Sequence, residues 1–278
     1  MPLTDLLGRV DLKALIAVRP RSFEDVVRIL IAYVRAACTI LLAPERYLSL
    51  GYYIPGIREV HLRFDGFVAR VRPKTDDITS ITLSREPGVV KWFRPQRGDV
   101  VVDVGAHIGA YALRAAASGA RVLAIEPNPL TAGALRRNLE LNKFGSVKVE
   151  ELAVGAEHGT SILSTSLIAS TSSSLVNVFG NSPYRVSVVP LDRIVDPWAR
   201  GQINWLKVDV EGYEVEVLKG ARSALMKCSR VIIEVGKSNI EACSRLLTNT
   251  GFKVIERLDL GSVEYWLLES QRDRVIGY

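Results

Sequence analysis

The sequence predicts an α/β fold: a seven-stranded, mostly parallel sheet with helices on both faces, preceded by an N-terminal helix and a β-hairpin. Three observations carry this reading. First, apolar strand-like runs fall near 100–104, 121–125, 147–152, 204–210 and 230–235, and helical patterns at 109–117, 130–142, 212–219 and 238–250 lie between most of them. Such alternation marks parallel strands joined by crossover helices. Second, the run Val101-Val102-Asp103-Val104 ends in a glycine turn, Gly105-Ala106-His107-Ile108-Gly109, that feeds a helix, and the next run ends in Glu126. Third, Phe252–Leu258 and Ser262–Leu268 are joined by a glycine-containing turn with no helix, which predicts an antiparallel pair at one side of the sheet.

Residues 1–84 read as an extension and 85–278 as the main domain. In the extension, residues 22–42 predict a helix. Ser22 can cap it, and Glu24 and Asp25 favour its positive end. Its other charges, Arg28 and Arg35, share one narrow stripe with Glu24, so nearly all the remaining circumference is apolar and needs cover. The main domain, a second copy of the chain, or a membrane surface with the arginines at headgroup level would each supply it. The apolar stretch Val26–Leu42 has 17 residues and two arginines, too little for a spanning helix. Residues 60–72 predict a hairpin: Val60–Phe64 alternates apolar and polar, Asp65-Gly66 suits a tight turn, and Phe67–Val71 returns. Arg85–Gly88 then breaks the chain before a short helix at Val89–Phe93, and Pro95–Asp99 lead into the first core strand. Residues 160–183, rich in Ser and Thr, interrupt the alternation as a flexible surface loop, or as a lid or substrate-contacting hairpin over the site.

The chain has 278 residues, 48% hydrophobic and 24% charged, with a net charge of +6, enough for one large domain with an extension. The basic residues Arg63, Arg70, Arg72, Lys74, Arg136 and Arg137 are not interleaved with aromatics in the way a stacking platform needs, so they read as solvated faces more than as a nucleic-acid groove. The three cysteines lack metal or disulfide spacing, which suits a reducing cytoplasm. Met1–Arg19 lacks a signal-peptide pattern. A cytoplasmic location, peripheral to a membrane if helix 22–42 meets one, is expected.

The turn after the first strand selects the ligand. A pyrophosphate needs bare backbone in a G-x-G-x-x-G turn. Here His107 stands where the middle glycine would be, and Asp103 places an anion that repels phosphate but suits an ammonium group. Glu126, 23 positions after Asp103, can accept both hydroxyls of a ribose. A cofactor with a ribose end and an amino-acid end satisfies both, and S-adenosylmethionine is such a molecule. The expected cofactor set is Asp103, Gly105, Ala106, His107 and Gly109 in the turn, Glu126, Pro127 and Asn128 after the second strand, and Leu152 and Ala153 beside the adenine. The expected catalytic set is Asp209, Glu211 and Glu234, at the carboxyl ends of the fourth and fifth strands. Asp209 is the first candidate to orient or deprotonate an attacking hydroxyl and Glu234 the second. Glu211 also reads as a first-turn helix acid, and His107 as a cofactor contact more than a base. No metal is expected, although these three acids would be the ones to hold one. His61 and His158 have no evident partner in the sequence.

The ordered series Val102-Asp-Val-Gly-Ala-His-Ile-Gly109, Ile125-Glu-Pro-Asn-Pro129, Asn138-Leu-Glu-Leu-Asn142, Leu191-Asp-Arg193, Leu206-Lys-Val-Asp-Val-Glu-Gly212, Leu218-Lys-Gly220 and Ile232-Ile-Glu-Val235 resembles the FkbM-type methyltransferases over roughly residues 85–270. The resemblance implies a Rossmann-like class I methyltransferase fold and S-adenosylmethionine-dependent O-methylation of a hydroxyl on a sugar, glycan or small metabolite. It assigns cofactor roles to Asp103, Gly105, Gly109 and Glu126 and site roles to Asp209 and Glu211. The family commonly has Asn where His107 stands. An RNA methyltransferase and a non-catalytic S-adenosylmethionine-binding module are the alternatives. The expected partner is a small-molecule or glycan acceptor, with a membrane surface or a second copy on helix 22–42.

Overall fold

The computed structural model describes residues 19–42, 49–64, 66–83, 86, 88–165, 182–199 and 201–272. The chain opens with helix α1 (Phe23–Leu42), a 3-10 turn (Leu50–Tyr53), the hairpin β1 (Val60–Phe64) and β2 (Phe67–Val71), and two short helices, α2 (Asp77–Thr82) and α3 (Val89–Trp92). The main alternation follows: β3 (Val100–Val104), α4 (Ala110–Ala117), β4 (Arg121–Ile125), α5 (Pro129–Asn142) and β5 (Val147–Glu150). Next come the short strands β6 (Ala153–Val154), β7 (Gly159–Thr165) and β8 (Ser182–Val189), and then α6 (Leu191–Trp198) and β9 (Ile203–Val208). The chain continues through α7 (Glu214–Lys219), α8 (Arg222–Met226), β10 (Cys228–Gly236), α9 (Ile240–Asn249), β11 (Phe252–Asp259) and β12 (Val263–Ser270).

Seven strands form the main sheet in the order β11-β12-β10-β9-β3-β4-β5. The β3–β4, β4–β5, β3–β9 and β9–β10 pairs are parallel, and β12 runs antiparallel to both its neighbours. Successive strand residues face opposite sides. Val101 and Val122 therefore join one apolar core with α4, α5, α1 and the hairpin, while Val102 and Leu123 join the other with α6 to α9. The extension thus shares its core with the sheet. The α5 asparagines stitch them together: Asn142 Oδ1 accepts from the Val68 N–H and Asn138 Oδ1 from the Arg70 N–H, both at 2.7 Å.

Three local expectations change. The third strand ends at Glu150, not 152, because Ala153 and Val154 turn away to pair with Val188 and Val189. Residues 160–165 form a strand, as in the hairpin alternative and not the flexible loop. It pairs antiparallel with β8, and Leu163, Val186 and Val188 close a small core with Ala153. The Ser/Thr-rich centre, 166–181, lies outside the described residues. In the basic stretch of the extension Arg63 and Lys74 are exposed as expected, but Arg70 and Arg72 are not simply solvated charges. Arg72 pairs with the fully buried Asp77 at 2.7 Å, and Arg70 pairs with Glu59 at 2.5 Å. Burial opposes ionisation of Asp77, but the Arg72 hydrogen bond and charge overcome it and lower its pKa. Among the described residues, no helix is long and apolar enough to cross a membrane.

Candidate active site

From β3 the chain winds outward through β4 and β5, then returns to continue through β9 on the other side. Ligands of doubly wound sheets bind beyond the strand ends at such a reversal. A cavity of about 610 Å³ opens there, within the range of small-ligand sites.

Close backbone contact builds its floor. The Asp209 N–H donates to the Val104 carbonyl at 3.0 Å, and Gly105 (φ +80°) passes so near β9 that a Cβ would lie 1.8 Å from the Asp209 carbonyl oxygen. His107 has φ +50°, a left-handed conformation that Gly, Asn, Asp and His adopt more readily than other residues. There its backbone N–H reaches Glu126 Oε2 at 2.9 Å, while the Asn128 N–H reaches Oε1 at 2.9 Å. These bonds aim the Glu126 carboxyl and favour its anion. Burial outweighs them and lifts its pKa to about 7.

The opposite wall is a network of acids around one buried lysine. Lys207 Nζ donates to Asp209 Oδ2 at 2.9 Å and sits 4.8 Å from the centre of the Tyr111 ring. Burial works against its charge, but Asp209, Asp103 and Glu86 raise its pKa and keep it an ammonium. The Tyr111 hydroxyl donates to Glu86 at 2.7 Å, and the Tyr265 hydroxyl donates to Glu234. Asp209, Glu211 and Glu234 bring one oxygen each within 4.8 Å of one another, the spacing of a cation site. Asp76, Asp77 and His107 form a second such group, in which Asp77 is committed to Arg72. Burial, and then the Asp209 charge, raise Glu211 to about 8 and Glu234 to about 9, so both hold protons far more tightly than free carboxyls. Glu211 is held at φ +50°, beside Gly212 at φ +98°. Left-handed backbone at a non-glycine residue concentrates at functional sites.

Residues 103–257, more than half of the chain, match the family model described as the methyltransferase FkbM domain. The chain belongs to the FkbM methyltransferase family. It is 33% identical over 140 residues to the hexuronic acid methyltransferase AglP of Haloferax volcanii, covering 50% of this chain but only 57% of that protein. It is 28% identical over 185 residues to Methyltransferase 1 of Beauveria bassiana, covering 57% of this chain and 74% of that one. A putative transferase, PH0793 from Pyrococcus horikoshii, superposes with a TM-score of 0.44 at 17% identity, covering 86% of this chain and 82% of that one. The sheet order and the winding are those of a Rossmann-like methyltransferase domain.

Within this FkbM domain the cavity gathers Gly105, Ala106, His107, Glu126, Pro127, Leu152, Ala153, Asp209, Glu211 and Glu234. Asp103, Gly109 and Asn128 do not line it. Asp103 is 1% exposed and level with Lys207 on the neighbouring strand. Burial raises its pKa to about 6 against the pull of Lys207. Its charge bears on Lys207 from behind the wall. Gly109 packs on Leu135 and Leu113, and Asn128 caps α5 by accepting from the Leu130 N–H at 3.0 Å. The sequence reading gave no role to Lys207, Glu86, Tyr111 or Tyr265. The lysine had a signal, since one cation within a run of apolar strand residues must find buried anions.

The raised carboxyl pKa values of this FkbM domain have a pH signature. Glu126, Glu211 and Glu234 bind protons more tightly folded than unfolded. Their contribution to stability is therefore complete below the ordinary carboxylate range and is lost as pH rises through the folded values. Melting of the ligand-free protein is expected to fall from about pH 5 to about pH 9, and Glu234→Gln to flatten that slope. A wild-type melting temperature constant across the range would contradict these protonation states.

Proposed function

We propose that this protein is an S-adenosylmethionine-dependent O-methyltransferase whose acceptor is a hydroxyl of a sugar or a similar small polyhydroxylated metabolite. The observation that carries this reading is the meeting, in one cavity, of Glu126 at the end of β4 with the Lys207–Asp209 pair at the end of β9. The donor set fits the cofactor. Each Glu126 oxygen accepts one backbone N–H and has further acceptor capacity for a ribose diol. Pro127, Leu152 and Ala153 offer apolar surface to a base, and the acids around Asp209 suit a cationic methionine end.

When bound, S-adenosylmethionine supplies a methyl group on a sulfonium, activated for displacement by a nucleophile. The protein must hold the acceptor hydroxyl in line and take its proton. Asp209 is the carboxylate for this, because Lys207 fixes its position and keeps it ionised beside the protonated Glu211 and Glu234. Protonated Glu211 and Glu234 can each donate to an oxygen of the acceptor, a role suited to neighbouring sugar hydroxyls. The relative named a hexuronic acid methyltransferase supports a sugar acceptor. Pairing of Arg70, Arg72 and Arg136 with Glu59, Asp77 and Glu151 supports a small acceptor over a nucleic acid.

Calorimetric titration tests the cofactor assignment. S-adenosylmethionine and S-adenosylhomocysteine should both bind, NAD should not, and Glu126→Ala should weaken the sulfur ligands by about 10- to 100-fold, the worth of hydrogen bonds to a charged group. Failure of both sulfur ligands to bind the wild-type protein would overturn the proposal.

A further inference from the structure

We propose that the outward face of α1, together with the Ile57–Arg58 tip beside it, docks onto an anionic membrane surface. The helix is apolar on two sides. Ile29, Ala32, Ala36 and Ile40 turn inward and are buried. On the other side Phe23, Leu30, Val34, Leu41 and Leu42 are 83%, 56%, 64%, 70% and 86% exposed, with Val27 between them. They recur at helical spacing along a helix of 20 residues, so they form one ridge about 30 Å long. Single exposed leucines are ordinary, whereas a continuous apolar ridge marks an interaction surface.

Charge decides what covers it. Arg28 lies on the inner edge and is 8% exposed, so it does not serve the solvent stripe expected from the sequence. It donates instead to the carbonyls of Pro55, Arg58 and Glu59. This holds the 55–59 loop against the helix, with Ile57 91% exposed and Arg58 bonded to Glu24 at 3.1 Å. Arg35 is exposed on the same edge, and Arg21 is exposed just before the helix. The margin of the ridge is therefore basic, and its one exposed acid is already taken by Arg58. A second copy would bring more arginines and no acid to receive them. A lipid surface bearing anionic headgroups matches both parts, taking the apolar side chains at the acyl boundary and the arginines at the headgroups. No described helix can cross the bilayer, so the contact is interfacial. The helix packs on the Leu50–Tyr53 turn, which packs on α2, the helix that supplies Thr79 and Ser80 to the cavity wall.

Co-sedimentation of the 278-residue protein with vesicles tests this. Equimolar phosphatidylcholine and phosphatidylglycerol vesicles should bind it, roughly tenfold or more tightly than pure phosphatidylcholine, with the difference shrinking at high salt. Leu30→Glu with Val34→Glu should abolish binding to both. Arg35→Glu with Arg58→Glu should remove the preference for anionic lipid. Circular dichroism and melting should be unchanged in each variant, because all four side chains face water. Failure of the wild-type protein to bind either vesicle would overturn the proposal. So would undiminished binding by the Leu30→Glu, Val34→Glu variant. A dimer in light scattering that this variant converts to a monomer would also overturn it, assigning the ridge to a second copy.

Discussion

Replacing Asp209 by Asn should lower kcat by about 10²- to 10⁴-fold, the range of a lost general base, while affinity for S-adenosylhomocysteine changes little. Asn keeps the shape of the side chain and its position after β9, so the Gly105 contact and the N–H bond to Val104 survive. What disappears is the charge that receives the acceptor proton. Lys207 retains Asp103 and Glu86 as neighbouring acids, so the fold should tolerate the change. Kinetics on the first acceptor returned by a glycan screen, beside calorimetry with S-adenosylhomocysteine, would separate the two effects. Full turnover by Asp209→Asn would move the base elsewhere. Weak cofactor binding by the variant would make Asp209 a cofactor ligand instead.

Gly105→Ala should be the most damaging small substitution in the domain, costing about 2–5 kcal/mol from left-handed strain and overpacking together. The added Cβ would lie 1.8 Å from the Asp209 carbonyl oxygen. That atom belongs to backbone just past the end of β9, beside the end of β3, so no rotamer change relieves the clash, and the two strand ends must separate. Separation displaces Asp209 and the Glu126-facing turn together, so cofactor binding should fall with stability. Gly98→Ala is the control. Gly98 has φ +87° but nothing within 4 Å of the added Cβ, so only backbone strain of about 1–2 kcal/mol applies. Equal urea midpoints for the two variants would show that the close approach at Gly105 does not bear on stability.

Much of the domain was legible because its signals are local. The period-2 and period-3.6 patterns located β3, β4, β9, β10 and their helices to within a few residues. The Asp-Gly turn located the hairpin, and Ser22 does cap α1, accepting from the Asp25 N–H at 3.1 Å. Other motif residues proved structural. Asn138 and Asn142 fasten the hairpin to α5, and Asp192 accepts from the Ser223 and Ala224 N–H groups at 3.0 and 2.8 Å to start α8. Their side chains bridge elements far apart in sequence, and spacing alone does not separate such a bridge from a ligand contact.

The sequence by itself determined the alternation of strands and helices, the glycine turn, and the placing of Glu126, Asp209 and Glu234 near strand ends, since each follows from patterns within a few residues of chain. The tertiary structure alone decided which groups meet. It put Asp103 behind the wall and Lys207 in it, brought Glu86, Tyr111 and Tyr265 from three separate segments to the same acids, buried Asp77 against Arg72, and left one side of α1 facing water. Burial and charge pairing are properties of neighbours in space. A residue's protonation state and role therefore depend on contacts that no local pattern along the chain records.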